Sequence, residues 1–448
     1  MVKIVQQFGH NGLSLVALVD LSYAAPHSLE NDRDGDVMEM NLGISAHVAS
    51  LRDQVATMVR DEIAPLDAEY HSQVSVGDRW QFTPRQTEIL ETLKARAKAA
   101  GLWNLWLTDS EKGSGLSTVD YAHLAEEMGR VHIAAEVFNC NAPDTGNMEV
   151  FERYGTDAMK ARWLAPLMDG LIRSAYLMTE PDVASSDATN IAMTCIRDGN
   201  DYVLNGEKWW ATGAGDPRCA VYIIMVRTGD ADAPKHQRHS MIVVDAALAG
   251  IEKIRPMQVY GSDDAPHGHM HMRFTDVRVP VADLLLGEGR GFEISQGRLG
   301  PGRIHHCMRA IGQAEAALEL MCKRALAREA FGKQLSHLGA NFDIIAECRM
   351  KIEQARLLCL KAAWMMDQGD ARAAAPWISQ IKVVAPRMAL EVIDEAVQMH
   401  GAMGISQDTP LAGAWAATRT LRLADGPDAV HRRQVARAEL RKHTQEKM

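Results

Sequence analysis

Asp425 stands where a carboxylate could work as a catalytic base. It lies in Arg422-Leu423-Ala424-Asp425-Gly426-Pro427-Asp428-Ala429-Val430-His431. The stretch reads as the end of one helix, a tight turn, and a new helix with Pro427 at its first position. Proline suits that position because its missing N–H would be unpaired there anyway. A side chain at such a turn can project into a cleft instead of lying along a solvated helix face. A plainer reading has Asp425 or Asp428 capping the last helix, and local sequence leaves both open.

Four further blocks could meet a ligand. Tyr176-Leu177-Met178-Thr179-Glu180-Pro181-Asp182-Val183-Ala184-Ser185-Ser186-Asp187 can offer N–H groups and hydroxyls to the edge of a planar polar ring, or be a Ser-rich loop. Asn205-Gly206-Glu207-Lys208-Trp209-Trp210-Ala211-Thr212-Gly213 joins a hairpin signal to an aromatic and a hydroxyl; Trp210 can wall a flat ring or fill a core. Arg328-Glu329-Ala330-Phe331-Gly332-Lys333-Gln334 closes a helix, where Arg can meet a pyrophosphate or satisfy the helix dipole. Gln398-Met399-His400-Gly401-Ala402-Met403-Gly404 is a Gly-flanked helix end, open to close backbone approach or simply a C-cap.

The elements that must position these blocks fall into three parts. After a poorly specified extension (1–40), the segment 41–172 is mostly helical. Leu51, Val55, Met58, Val59 and Ile63 recur at helical spacing, with Pro65 closing that helix. Further helices run from Pro84 to Ala100, Tyr121 to Met128 and Asp157 to Met168, and Trp103, Trp106 and Trp163 belong to the core. Residues 173–288 change to a period of two. Tyr202-Val203-Leu204 leads into the hairpin signal Asn205-Gly206, and strands with no helices between them predict antiparallel sheet. Residues 289–448 return to long amphipathic helices, with Pro386 as a kink and Gly401 as a C-cap. The fold class is therefore α+β multidomain: an N-terminal helical domain, a middle antiparallel β domain and a C-terminal four-helix bundle.

Composition excludes several functions. A net charge of −10 offers no basic surface for nucleic acid. No apolar run reaches the ~20 residues of a membrane span. Gly12 to Val19 only imitates a weak signal peptide, and scarce arginine with early acids makes a mitochondrial transit peptide a poor fit. Seven cysteines without a CxxC pair point to a reducing, cytoplasmic setting with neither disulfides nor zinc. The 24 methionines suit an irregular apolar slot.

Taken in order, the blocks resemble the acyl-CoA dehydrogenase family over residues 46–443. Val183 to Ile191, Gly297 to Arg309 and Leu423 to Asp428 look like one branch, whose animal members carry a kinase-like phosphotransferase domain upstream; the 448 residues contain no counterpart of it. The resemblance implies FAD held between the β domain and the bundle. Met178 and Thr179 match positions at the isoalloxazine, Trp210 and Thr212 match the wall and hydrogen bond near its N5 side, and Ser185 and Ala211 match further cofactor-binding positions. Arg328 and Phe331 match contacts to the pyrophosphate and adenosine of FAD in a neighbouring subunit, completed by Gln398, Gly401 and Ala402. Pro427 and Asp428 match cofactor positions beyond the base. Ser186, Gly300, Arg303 and Gly426 match positions touching an acyl-CoA substrate. A shared site implies a homodimer or homotetramer, with electron-transfer flavoprotein as acceptor. Three departures stand out: Asp425 replaces the Glu of many members, Pro427 replaces a Thr that bonds the flavin, and Ala429 replaces a longer polar residue.

The implied reaction is α,β-desaturation. Asp425 takes the α-proton and a β-hydride leaves for flavin N5, while the ribityl hydroxyl and the Asp425 N–H bond the thioester oxygen. Burial in an apolar slot is expected to raise the Asp425 pKa. Many Met and Ala residues point to medium, long or branched acyl chains. Rival readings are an oxygen-using acyl-CoA oxidase or nitroalkane oxidase, and a non-catalytic flavin-binding paralogue.

Overall fold

The computed structural model of the protein describes residues 40–107, 113–230 and 232–444, apart from the side chain of Leu299. The 1–40 extension lies outside them but for Met40. Helices come first: α1 (Ala46–Met58), α2 (Ala64–Ser72), α3 (Pro84–Ala99), α4 (Thr118–Gly129), α5 (Ala134–Val137), α6 (Asp144–Tyr154), α7 (Asp157–Met159) and α8 (Ala165–Met168). Pro65 does not close the first helix. A π turn, Val59–Ile63, carries α1 into α2, and Pro65 falls in the first turn of α2, where proline is tolerated. α3 opens on a capping box between Thr83 and Gln86.

The sheet follows: β1 (Arg173–Leu177), β2 (Thr194–Asp198), β3 (Asp201–Thr212), β4 (Cys219–Arg227), β5 (His239–Asp245), β6 (Ile251–Pro256), β7 (His269–Pro280) and β8 (Leu284–Leu285). Its order is β6-β7-β3-β2-β4-β5-β8, with β1 against β4. The antiparallel expectation holds for the long ladders, but β1 joins β4 in parallel. β1 enters directly from α8 without a hairpin partner, and the intervening β2–β3 ribbon supplies the crossover that a parallel neighbour needs.

Asn205-Gly206 does not turn the chain. β3 runs through it with a register irregularity against β7 between Leu204 and Gly206, and the hairpin turn falls between Asp198 and Asp201 instead. A Cβ on Gly206 would lie 2.9 Å from the Met193 side chain, so glycine relieves a close strand contact there. Asn205 Oδ1 accepts from Asp276 N–H at 2.9 Å across the irregularity.

The C-terminal part is α9 (Gly291–Ala327), a ribbon of β9 (Glu329–Ala330) and β10 (Lys333–Gln334), α10 (Asn341–Asp367), α11 (Ala371–His400), α12 (Leu411–Thr420) and α13 (Asp428–Thr444). α9, α10, α11 and α13 form the expected bundle, with the short α12 added against α11. α11 runs through Pro386 without a break, and Gly401, at φ 63°, caps it. One apolar core joins the N-terminal helices, one face of β4 and β5, and α9 to α11. α9 is thereby gripped from both sides. Its crossing with α4 is glycine on glycine: a Cβ on Gly312 would lie 2.0 Å from Glu126 O, and one on Gly129 2.2 Å from Arg309 O.

Candidate active site

Three residues on α9, Arg303, His306 and Arg309, recur every third position and so share one face. Arg298, a turn and a half earlier, lines the same small cleft as His306, Arg309 and Asp425, closed opposite by Pro143 and Gly146. Arg298 is held by stacking 4.0 Å over the Tyr176 ring and by donating to Asn147 Oδ1 at 3.2 Å.

Asp425 reaches this cleft from the turn between α12 and α13. Its backbone is left-handed, φ 54°, followed by Gly426 at φ 102°; Asp tolerates that region better than most residues. Two donors pin its carbonyl, Arg303 Nε at 3.1 Å and His431 Nε2 at 3.2 Å. Lys382 from α11 donates to Leu421 O just upstream. Neither Asp425 nor Asp428 caps α13 through its side chain. The first helical amides, Val430 and His431, bond to Pro427 O, so Pro427 takes the cap position and Asp428 opens the helix. The Asp428 carboxylate instead accepts from Arg422 at 2.7 and 2.9 Å.

The Asp425 side chain is 24% exposed, and its Oδ2 lies 3.6 Å from His306 Nε2. The expected rise in its pKa is not found. Burial does push the carboxyl up, but His306, Arg298, Lys382 and Arg303 together hold it below the ordinary value. Burial, aided by Arg309, pushes His306 down to about 3. The two groups titrate together, and the positive charge that does not depend on His306 comes from Arg298, Arg303 and Lys382. The apolar slot expected around Asp425 is basic on its α9 side.

A second cluster adjoins it. Lys208 is fully buried and its Nζ donates to Met178 O (3.0 Å), Glu180 Oε1 (2.7 Å) and Met225 O (2.7 Å). Glu180 also accepts from Ala192 and Met193 N–H, at 2.7 and 2.9 Å, and Trp209 N donates to Thr179 O at 3.0 Å. These bonds fix Met178 and Thr179 beside Trp210. A register irregularity between Lys208 and Ala211 puts Trp210 at φ 54° and leaves the residue 39% exposed. Ala211 is buried; the Thr212 hydroxyl pairs with His269 Nδ1 at 2.9 Å. The Ser185 hydroxyl accepts from Glu180 N at 2.9 Å, inside the loop. Tyr176 and Ser295 join the clusters: Tyr176 bonds Ser295 at 3.2 Å and carries Arg298 on its ring.

Lys208→Met is expected to strand the buried Glu180 carboxylate. Breaking one partner of a buried ion pair costs about 3–5 kcal/mol, read as a lower urea midpoint; an unchanged midpoint would show that the pair does not hold the loop.

The remaining positions separate. Arg303, expected on substrate, bonds the Asp425 carbonyl. Gly300 and Gly426 flank the same region, half-buried, while Ser186 is exposed. Arg328, Gln398, Gly401 and Ala402 are exposed, and Phe331 is 96% exposed at φ 52°; among the described residues no hydrogen bond or ring contact joins them to the Met178–Asp425 region. Sequence reading gave no role to Arg298, His306, Arg309, Lys382 or His431. The three-residue spacing of Arg303, His306 and Arg309, among buried Ile304, Cys307 and Met308, was the available signal.

Comparison with known proteins gives a consistent set. Family models match in series: "Acyl-CoA dehydrogenase, N-terminal domain" over residues 45–171, "Acyl-CoA dehydrogenase, middle domain" over 175–277 and "Acyl-CoA dehydrogenase, C-terminal domain" over 289–440. The chain is 50% identical over 425 residues to "Acyl-CoA dehydrogenase family member 10" of Mus musculus, covering 94% of this chain and 39% of that protein. It is 49% identical over 403 residues to "Probable acyl-CoA dehydrogenase FadE2" of Mycobacterium tuberculosis, covering 90% and 97%. Against the animal relatives it spans about half their length or less, 39% to 55% in the two first matched. A solved acyl-CoA dehydrogenase-like chain from Mycobacterium abscessus shares 50% identity at TM-score 0.86, covering 90% of this chain and all of that one. PigA solved with FAD shares the fold, at 21% identity and TM-score 0.76, covering 89% and 99%.

Proposed function

The chain belongs to the acyl-CoA dehydrogenase family, and from that premise we propose that it desaturates an acyl-CoA thioester between its α and β carbons with FAD as cofactor and Asp425 as base. The observation that carries this reading is the carboxylate at the cleft. It is a quarter exposed, held below its ordinary pKa by the charges around it, and pinned through its own carbonyl by Arg303 and His431.

Two features fit the cofactor. The exposed, left-handed Trp210 presents a flat wall beside Met178 and Thr179, whose positions are fixed by Lys208 and Trp209. The Asp425 N–H donates to nothing among the described residues, leaving it free to bond a thioester oxygen drawn against it. Bound FAD supplies the hydride acceptor. The protein's own part is to hold the acyl chain against that acceptor, to donate the Asp425 N–H to the developing enolate oxygen, and to move the α-proton onto Asp425 Oδ. The exposed Arg328, Phe331, Gln398, Gly401 and Ala402 fit a site completed by a second subunit, so the assembly proposed is a homodimer or homotetramer. Electron-transfer flavoprotein is the proposed acceptor, and medium, long or branched acyl groups the proposed substrates.

Anaerobic titration of the yellow holoprotein with acyl-CoAs of graded length and branching tests this: bleaching by one class supports it, and no bleaching by any removes it. Peroxide produced at substrate-dependent rates without an added acceptor would favour an oxidase. The pH dependence adds a second expectation. A carboxyl held below its ordinary value loses basicity only as pH falls through that lowered pKa. The second-order rate of bleaching is therefore expected to show no acid limb between about pH 8 and 5. A limb centred near 6 would contradict the assigned electrostatics.

A further inference from the structure

His306 is the only described group within ion-pair distance of the Asp425 carboxylate, and the desaturation chemistry does not use it. Its other ring nitrogen, Nδ1, lies 3.2 Å from Arg309 Nη2. A guanidinium can only donate. Nδ1 must therefore be the accepting nitrogen, and the ring's single proton sits on Nε2, facing Asp425. Arg309 is itself fixed: its Nη1 donates to Cys140 O at 3.2 Å, and its backbone carbonyl forms part of the α4–α9 glycine crossing.

We propose that Arg309 and His306 are positioning residues for Asp425: the guanidinium fixes the imidazole as its Nε2–H tautomer, and that N–H holds the carboxylate in place. The inference rests on Asp425 being the base. It addresses the shortness of the Asp stem. A carboxylate one methylene short of Glu must be aimed by a neighbour, because its own carbonyl is already committed to Arg303 and His431. At 3.6 Å the contact is longer than a hydrogen bond, which is how catalytic pairs often stand before substrate is bound.

The groups facing Asp425 are Arg298, Arg303 and His306 from α9, Lys382 from α11 and His431 from α13. Those facing His306 are Arg309 and Arg298 from α9, Lys382 from α11 and Asp425 itself. Removing Arg309 takes away the largest cationic influence on the imidazole and leaves Asp425 to favour its charged form.

The test is single-turnover bleaching of holoprotein by a saturating acyl-CoA, followed across pH, with FAD content, substrate affinity and melting temperature as controls. His306→Leu is expected to lower the limiting rate about tenfold or more at unchanged substrate affinity. His306→Gln, which keeps an N–H donor, is expected to recover most of the rate. Arg309→Met is expected to acquire an acid limb at higher pH than wild type, though below the ordinary histidine range of about 6.5 because burial still opposes charging the ring, since a protonated imidazole competes for the carboxylate. The double variant Arg309→Met/His306→Gln is expected to lose that limb, assigning it to the imidazole. A wild-type rate in His306→Leu, or a flat profile in Arg309→Met, overturns the proposal. A wild-type rate in Asp425→Asn would instead remove the base itself, so the two failures are distinguishable.

Discussion

Asp425→Asn is expected to keep FAD bound and to slow its reduction by acyl-CoA roughly 10²–10⁴-fold. The amide has the shape of the carboxylate but cannot accept the α-proton. It also removes the only negative charge named among Arg298, Arg303 and Lys382, so the cleft becomes more positive without losing its form. FAD content is expected to hold because Met178, Thr179 and Trp210 are fixed by Lys208, Glu180 and Trp209, none of which bonds Asp425. Asp425→Glu separates reach from chemistry. It restores the longer stem of many family members, yet places it on a backbone at φ 54° that Glu adopts less readily than Asp. It is expected to bleach, more slowly than wild type. Stopped-flow reduction of matched holoproteins measures both, and an Asn variant within a few-fold of wild type would remove Asp425 from the mechanism.

Gly312→Val is expected to destabilise the protein by about 3 kcal/mol or more, and to lower soluble yield with it. The side chain would enter a space already held by backbone: Glu126 O at 2.0 Å and Gly129 Cα at 3.0 Å from the first added carbon. Neither can rotate away. α4 and α9 would have to separate, loosening the paired carboxylates Glu126 and Glu315 that Arg356 bridges beside the crossing. Because Arg309 O faces Gly129 in the same crossing, the shift also reaches the cleft, so the bleaching rate of surviving protein is expected to fall. Gly413→Ala is the control. It lies inside α12 with nothing within 4 Å of the added carbon, and is expected to be neutral or to stabilise by up to about 1 kcal/mol. Urea unfolding of the two variants decides; equal midpoints would mean that the crossing tolerates separation.

The sequence and the structure agree where the signal is local and periodic. Helix-spaced apolar residues and a change to period two are enough to order the helical, β and helical parts, and the family match bears out that arrangement. Asp425 was legible because Asp-Gly-Pro is turn chemistry, and the turn is there. Errors came where a distant neighbour decides. Asn205-Gly206 has the composition of a hairpin, but β3 continues through it, paired with β7, and Met193 leaves no room for a side chain at Gly206. Pro65 reads as a stop, yet a π turn upstream moves it to a helix start. β1 lies parallel because its partner, β4, comes more than forty residues later, beyond what local patterning can express. The same limit hid the charge around the base. Arg298, His306, Lys382 and His431 come from three helices that only folding brings together, so the sequence suggested an apolar slot and a raised pKa where the structure has a basic wall and a lowered one.

The most direct test of Asp425 as the base separates proton removal from hydride transfer. Holoprotein is incubated in D2O with an acyl-CoA whose β position carries no transferable hydrogen, and deuterium at the α-carbon is followed by mass spectrometry. Wild type is expected to exchange the α-hydrogen while its flavin stays oxidised, and Asp425→Asn with the same FAD content is expected not to. Undiminished exchange in the variant would contradict the assignment.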